Sequence, residues 1–244
     1  MNNNYKTAKI IKIKKESPKV KTLVMDINID AKPGQYIMLW IPRVNEKPFG
    51  VVYDKPFTLS IAKVGPFTKK VHELKVGDKV RFRGPYGNSF SKREGECLLV
   101  GGGYGVVPLY FFASSFPKSK RKNIILVLGA KTKEDLILVN DFKKMGVKVQ
   151  ASTDDGSLGF KGFSTDLAQK VLKTGKFKSI YTAGPDIMMQ KIAKIALDNK
   201  IFCEVSAGTF FKCGGIGLCG ECALNGYLVC KEGTIFNAKT YLGK

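Results

Sequence analysis

Glu96-Cys-Leu-Leu-Val100-Gly101-Gly-Gly-Tyr-Gly105 is the stretch on which the fold turns. Its first half is a short continuous apolar run, the pattern of a strand buried on both faces of a parallel sheet. Its second half is a glycine-rich turn opening into the apolar, helix-like run Val107 to Ser114. A strand, a glycine turn and a helix start make a place for a pyrophosphate, because free backbone N–H groups and the helix dipole face the anion. Gly101, Gly102, Gly103 and Gly105 are the candidate contacts, although their spacing is not the G-x-G-x-x-G fingerprint and an empty turn reads equally well.

Downstream the pattern alternates. Strands are expected at Ile124 to Leu128, Val147 to Ser152 and Ser179 to Ala183, with helices at Thr132 to Lys144, Ser164 to Leu172 and Asp186 to Asn199. Such alternation means a doubly wound parallel sheet with its ligand beyond the carboxyl ends of the strands. Thr153-Asp-Asp-Gly-Ser157 and Ala183-Gly-Pro185 follow predicted strands and so fall at the same edge as the glycine run.

Upstream, short β-rich runs are broken by turn residues: Ala8 to Ile13, Val20 to Asp26, Gln35 to Ile41, Phe57 to Lys63 and Lys79 to Phe82. Short strands at regular spacing without helical periodicity predict a small antiparallel barrel. Within it, Asp54-Lys-Pro-Phe-Thr-Leu-Ser60 offers an ammonium at Lys55 and hydroxyls at Thr58 and Ser60, two residues apart and so on one face of a strand. An ordinary strand after a proline is the competing reading. His72 lies in a short amphipathic turn and reads as structural. No Ser-His-Asp or Cys-His nucleophile pattern is present.

Near the C-terminus, Cys213, Cys219, Cys222 and Cys230 lie in a glycine-rich loop with spacing C-x5-C-x2-C-x7-C. Plant-type ferredoxins hold a two-iron, two-sulfur cluster with C-x4-C-x2-C and a later fourth Cys, so the first interval here is one residue longer. A structural zinc site, which usually shows two close Cys pairs, is an alternative. Disulfides would need an oxidising compartment, and Met1 to Tyr5 carries no secretory pattern. Cys97 and Cys203, in apolar runs, read as free buried thiols.

Lys and Arg number 41 against 20 Asp and Glu, a net charge of +21. The lysines are spread over every segment, with no nucleic-acid module among them, so nucleic-acid binding is not expected. Attraction of anionic cofactors or an acidic partner is the better use of the charge. No apolar run approaches the roughly 20 residues of a bilayer span, so no membrane association is expected and the expected address is cytoplasmic.

Together Lys55-Pro-Phe-Thr58, Gly84-Pro-Tyr-Gly-Asn-Ser-Phe90, Gly101 to Pro108, Thr153 to Ser157 and the four cysteines resemble the ferredoxin-reductase superfamily. Within it the chain is most similar to the electron-transfer subunits of dihydroorotate dehydrogenase B. The resemblance implies an antiparallel β-barrel FAD domain (1–92), a Rossmann-like α/β domain for NAD (93–202) and a small C-terminal 2Fe-2S module (203–244). It places Lys55, Pro56, Phe57 and Thr58 against the flavin and its phosphates, and Ser60, Ile61 and Ala62 beside the flavin. Thr68 is placed at the pyrophosphate, the Gly101 to Gly105 run at the dinucleotide side of the pocket, and the four cysteines on the cluster. Lys55 stands where the family carries Arg, and Ala183 where it often carries Cys. The implied function is electron transfer from an FMN-containing dihydroorotate dehydrogenase catalytic subunit, in a heterotetramer, through 2Fe-2S and FAD to NAD+ in pyrimidine biosynthesis. The alternatives are a diaphorase-type flavin/iron-sulfur subunit of another reductase or hydrogenase, and a non-enzymatic zinc-bearing interaction module.

Overall fold

The computed structural model describes residues 4–244. The N-terminal strands are β1 (Lys6–Ser17), β2 (Val20–Met25), β3 (Tyr36–Ile41), β4 (Asn45–Gly50), β5 (Tyr53–Asp54), β6 (Phe57–Ala62) and β7 (Lys79–Tyr86), with helix α1 (Pro66–Glu73) between the last two. They form one sheet in the order β4-β3-β7-β1-β2-β6-β5, every pairing antiparallel. Its two edge strands, β4 and β5, are joined by the buried pair Val51–Val52, so the sheet curls back on itself. Ile10, Leu23, Ile37, Leu39, Phe57, Leu59 and Phe82 fill the interior, and the Phe57 and Phe82 rings meet at 4.7 Å between centroids. Fully burying one such side chain is worth roughly 1.5–3 kcal/mol. Strand β4, Asn45-Glu-Lys-Pro-Phe-Gly50, lacks the apolar alternation that would announce it. It pairs only with β3, and an edge is where a sheet admits proline.

The second sheet comprises β8 (Glu96–Gly102), β9 (Ile124–Ala130), β10 (Lys148–Thr153), β11 (Phe160–Lys161), β12 (Phe177–Ala183) and β13 (Phe202–Ser206). They are all parallel and stand in the order β11-β10-β9-β8-β12-β13. Strand β8 is central, with β9 on one side and β12 on the other, so the order reverses there. Its apolar run is buried on both faces: Cys97 and Leu99 pack with α2 (Val106–Ser114), while Leu98 and Val100 pack with α4 (Ser164–Leu172) and α5 (Asp186–Asp198). The helix expected over Thr132 to Lys144 is broken. A 3-10 turn at Lys133–Asp135 is followed by α3 (Val139–Lys144), and Leu138 between them has φ 61°. Ile137 and Leu138 dip into the core there, which a straight helix through exposed Lys133 and Glu134 does not permit.

The cysteine segment begins and ends in this sheet. Beyond β13 come the loop, the hairpin β14 (Ala223–Leu224) and β15 (Tyr227–Leu228), α6 (Val229–Glu232), β16 (Ile235–Asn237) and α7 (Ala238–Leu242). Strand β16 returns antiparallel to β13, and α7 packs against α5. Residues 207–234 are therefore a loop held at both ends by strands of the α/β sheet.

Candidate functional site

The carboxyl ends of β8, β9, β10 and β12 open onto a cleft of about 810 Å³. Gly102, Gly103, Gly105, Asp154, Gly184 and Pro185 all line it, so the three loops expected at one sheet edge do meet there. The glycines have separate reasons. A Cβ on Gly105 would lie 2.5 Å from the Cα of Gly184, so the turns after β8 and β12 touch backbone to backbone. Gly103 has φ 52°, a left-handed conformation that a glycine takes without a Cβ penalty. Gly101 is buried within β8 against Leu128 and Val106, behind the cleft wall.

Several cleft residues carried no local signal in the sequence. Lys19 arrives from the β1–β2 turn, Lys131 from the end of β9, and Lys191 from α5. Phe163, Ser164 and Thr165 bring the start of α4, where no side chain caps the helix. Ser164 sits beside Gly129 and near the buried Ser152 hydroxyl, which has no hydrogen-bond partner. Lys131 and Phe163 to Thr165 follow strand ends of the doubly wound sheet, the general signal that finds them, whereas Lys19 and Lys191 carry none.

The proposed flavin segment runs along β6 into α1. Lys55 and Pro56 are exposed, with the Lys55 ammonium 3.9 Å from Asp54. Phe57 and Ile61 turn into the barrel core, while Thr58 donates to the Pro56 carbonyl at 2.9 Å. The Ser60 and Thr22 hydroxyls are hydrogen-bonded at 2.6 Å on neighbouring strands, and Ala62 is half-buried against the α/β domain. The Thr68 hydroxyl accepts from the N–H groups of Val64 and Gly65 at 2.9 and 3.0 Å, closing the start of α1. His72 is structural, its Nε2 lying 2.8 Å from the Ile61 carbonyl. At the domain junction the Tyr53 ring meets Phe111 of α2 at 6.0 Å.

In the cysteine loop Gly214, Gly215, Gly217 and Gly220 all have positive φ and turn the chain repeatedly. The thiols fall into two neighbouring pairs, Cys213 with Cys219 and Cys222 with Cys230, with Cys213 also close enough to act on Cys230. Backbone N–H groups of Leu218, Cys219 and Ile216 point at Cys213 and hold its thiol down to about 6. Cys230 is pushed up to about 12, by burial first and then by Cys222. Cys219 is exposed and Cys222 buried. Among the described residues, no group of three or more His, Cys, Asp or Glu side chains is arranged to hold a metal ion.

This loop is bolted to the barrel. The Tyr36 hydroxyl donates to the Cys230 carbonyl at 2.8 Å, and the Tyr36 ring meets Phe211 at 4.9 Å. Asn88 donates to the carbonyls of Glu232 and Ile235 at 3.0 and 2.7 Å, and its Oδ1 accepts from the Ile235 N–H at 2.7 Å. Arg83 of β7 donates to the Gly214 carbonyl.

No family model matches the chain. Among curated proteins, the chain is 46% identical over 230 residues to the probable electron transfer subunit of dihydroorotate dehydrogenase B (NAD(+)) of Methanocaldococcus jannaschii, covering 93% of this chain and 88% of that one. The like-named protein of Thermococcus kodakarensis is 38% identical, over 98% of this chain and 99% of its own length. Among solved structures, one from an NADH-dependent reduced ferredoxin-NADP oxidoreductase superposes with a TM-score of 0.83 at 30% identity, covering 98% of this chain and 91% of that one. The FAD/NAD-binding domain of a Vibrio cholerae nitric oxide dioxygenase shares the fold, with a TM-score of 0.70 at 20% identity over 80% of this chain and 93% of that one. A curled antiparallel sheet, a doubly wound sheet with a cleft at its switch point and near full-length identity to these relatives lead to one placement: the chain belongs to the family of dihydroorotate dehydrogenase B (NAD(+)) electron transfer subunits.

Proposed function

We propose that this flavin oxidoreductase subunit carries electrons between an FMN-containing dihydroorotate dehydrogenase catalytic subunit and NAD+, in a cytoplasmic heterotetramer serving pyrimidine biosynthesis. In this reading Cys213, Cys219, Cys222 and Cys230 hold a 2Fe-2S cluster. Lys55 to Thr58, Ser60 to Ala62 and Thr68 hold FAD, the Gly101 to Gly105 turn shapes the dinucleotide side of the pocket, and the cleft at the end of the second sheet takes NAD. The observation that carries the cluster is the thiol pairing. Each iron of such a cluster takes two protein sulfurs, and the loop presents two neighbouring pairs with N–H groups aimed at the sulfurs.

When bound, the flavin supplies the link between one-electron and two-electron transfer, and the chemistry is the cofactors' own. The chain's residues position it. Gly103 and Gly105 let the backbone approach a pyrophosphate at the start of α2, while Lys131 and Lys191 place positive charge around the cleft and Lys19 is paired with Asp135 at 3.6 Å. The Lys55 ammonium serves as a point charge for a phosphate, without the bidentate fork of an arginine.

The test is the visible spectrum of the chain purified without oxygen, before and after reduction. Flavin bands with a bleachable iron-sulfur shoulder are expected. Cys219→Ser should lose the shoulder and keep the flavin; a full cluster signal in that variant sinks the ligand assignment. Stoichiometric zinc in a colourless protein that also fails cofactor reconstitution supports the interaction-module reading instead. A second redox reading, a diaphorase-type subunit of another reductase, is favoured by the similarity along the whole chain to the ferredoxin-NADP oxidoreductase structure. Co-purification with an FMN-bearing dihydroorotate-oxidising subunit supports the first reading, and co-purification with a different reductase supports the second.

A further inference from the structure

Arg83 is 5% exposed, although it carries a full charge. Its Nε and Nη2 grip the Glu46 carboxylate at 2.7 and 2.6 Å, and Nη2 also donates to the carbonyl of Gly214, the residue after Cys213. A Cβ on Gly214 would lie 2.8 Å from Arg83 Nη2 and 3.2 Å from Glu46 Oε2, so only a glycine lets the loop descend onto the pair. The remaining nitrogen, Nη1, is buried without a hydrogen-bond partner. The guanidinium stands 5.6 Å from the Tyr86 ring, which meets Tyr36, the residue bonded to the Cys230 carbonyl. The ion pair therefore touches the residue after Cys213 and connects through the Tyr86 and Tyr36 rings to the backbone carbonyl of Cys230.

Burying an ion pair costs desolvation energy, and apolar residues of similar size hold strands together as well or better. A buried cation beside an anionic centre gives the pair a purpose, because charges interact more strongly where water is excluded. We propose that the Arg83–Glu46 pair sets the reduction potential of the centre in the cysteine loop, Arg83 presenting its positive side to the loop at Gly214. This rests on the cluster reading above. Reduction adds one electron from the partner flavin to an already anionic centre, with no bond made or broken. Arg83 favours the reduced state and Glu46 moderates it.

Opposite charges make opposite predictions. Arg83→Gln leaves the Glu46 carboxylate facing the loop, so reduction becomes harder. Glu46→Gln leaves the guanidinium unbalanced, so reduction becomes easier. Arg83→Lys keeps the charge and restores most of the potential.

The experiment is an anaerobic redox titration of the full chain, following the electron paramagnetic resonance signal of the reduced cluster, with thermal unfolding in parallel. The expected result is about a tenfold change in the reduced-to-oxidised ratio at the wild-type midpoint, down for Arg83→Gln and up for Glu46→Gln. Tenfold corresponds to about 59 mV for one electron. A purely structural pair lowers the unfolding temperature in both variants but gives shifts of one sign or none, and that result overturns the proposal. If Arg83→Gln does not fold, Glu46→Gln decides alone: a raised midpoint supports the proposal and an unmoved one overturns it. Wild-type protein without iron and labile sulfide removes the cluster reading and this inference with it, whereas an intact cluster with unmoved potentials removes this inference only.

Discussion

Gly105 and Gly184 illustrate how single residues shape the cleft at the end of the second sheet. Their contact is backbone to backbone, so nothing flexible can give way to a new methyl group. Gly105→Ala should cost about 1–3 kcal/mol, the usual range for overpacking a tight site, and should weaken NADH binding, as read by thermal unfolding and a titration. Gly208→Ala is the control. Nothing lies within 4 Å of a Cβ there, and neither readout should move. The cleft's wall therefore depends on which glycines are crowded, not on how many there are.

At the level of elements, the segment Gly84 to Phe90 acts as a clamp between the barrel and the C-terminal strand. It spans the end of β7 and the turn after it, and its Asn88 side chain is shared among Glu232, Ile235 and the Ile235 N–H. The Asn88 N–H also donates to the Gly233 carbonyl at 2.8 Å. Asn88→Ala should cost about 1–3 kcal/mol, because partly buried backbone groups of β16 and its approach lose their partners. Hydrogen exchange should quicken at Ile235, whose amide loses its acceptor, while the amides of β8 and β9 stay protected. Equal quickening across both sheets would mean global destabilisation and not a local clamp. The hairpin β14–β15 and the short α6 gain their order from this attachment, since segments of two to four residues do not hold themselves.

For the molecule as a whole, buried thiols set an alkaline limit. Burial pushes Cys97 and Cys203 each up to about 12 from an ordinary 9.0. Below pH 9 these thiols are protonated both folded and unfolded and stability is unaffected. Above it the unfolded chain loses protons that the folded chain keeps until about pH 12, so stability falls through that window. The slope is about 1.4 kcal/mol per pH unit for each thiol. Denaturant unfolding at stepped pH should show the decline, and a Cys97→Ala, Cys203→Ala variant should flatten it. An unchanged slope in that variant assigns the decline to other groups.

Much of this was legible in the chain alone. The apolar run ending in Gly101 to Gly105 announces a doubly wound sheet, because a strand buried on both faces leaves no polar alternation, and the helix over Ser164 to Leu172 falls where its pattern puts it. The cysteine spacing singles out a loop of glycines with left-handed conformations. Tertiary structure alone decided the rest. Strand β4 exists because β3 offers it an edge, not because Asn45 to Gly50 prefers to be extended. Strands β13 and β16 join the cysteine loop to the α/β sheet by a pairing between residues about thirty positions apart, which local pattern does not encode. Lys19, Lys191 and the Arg83–Glu46 pair acquire their positions the same way: each is an unremarkable charged residue in sequence, and only the folding of distant segments onto one another gives it a neighbour to act on.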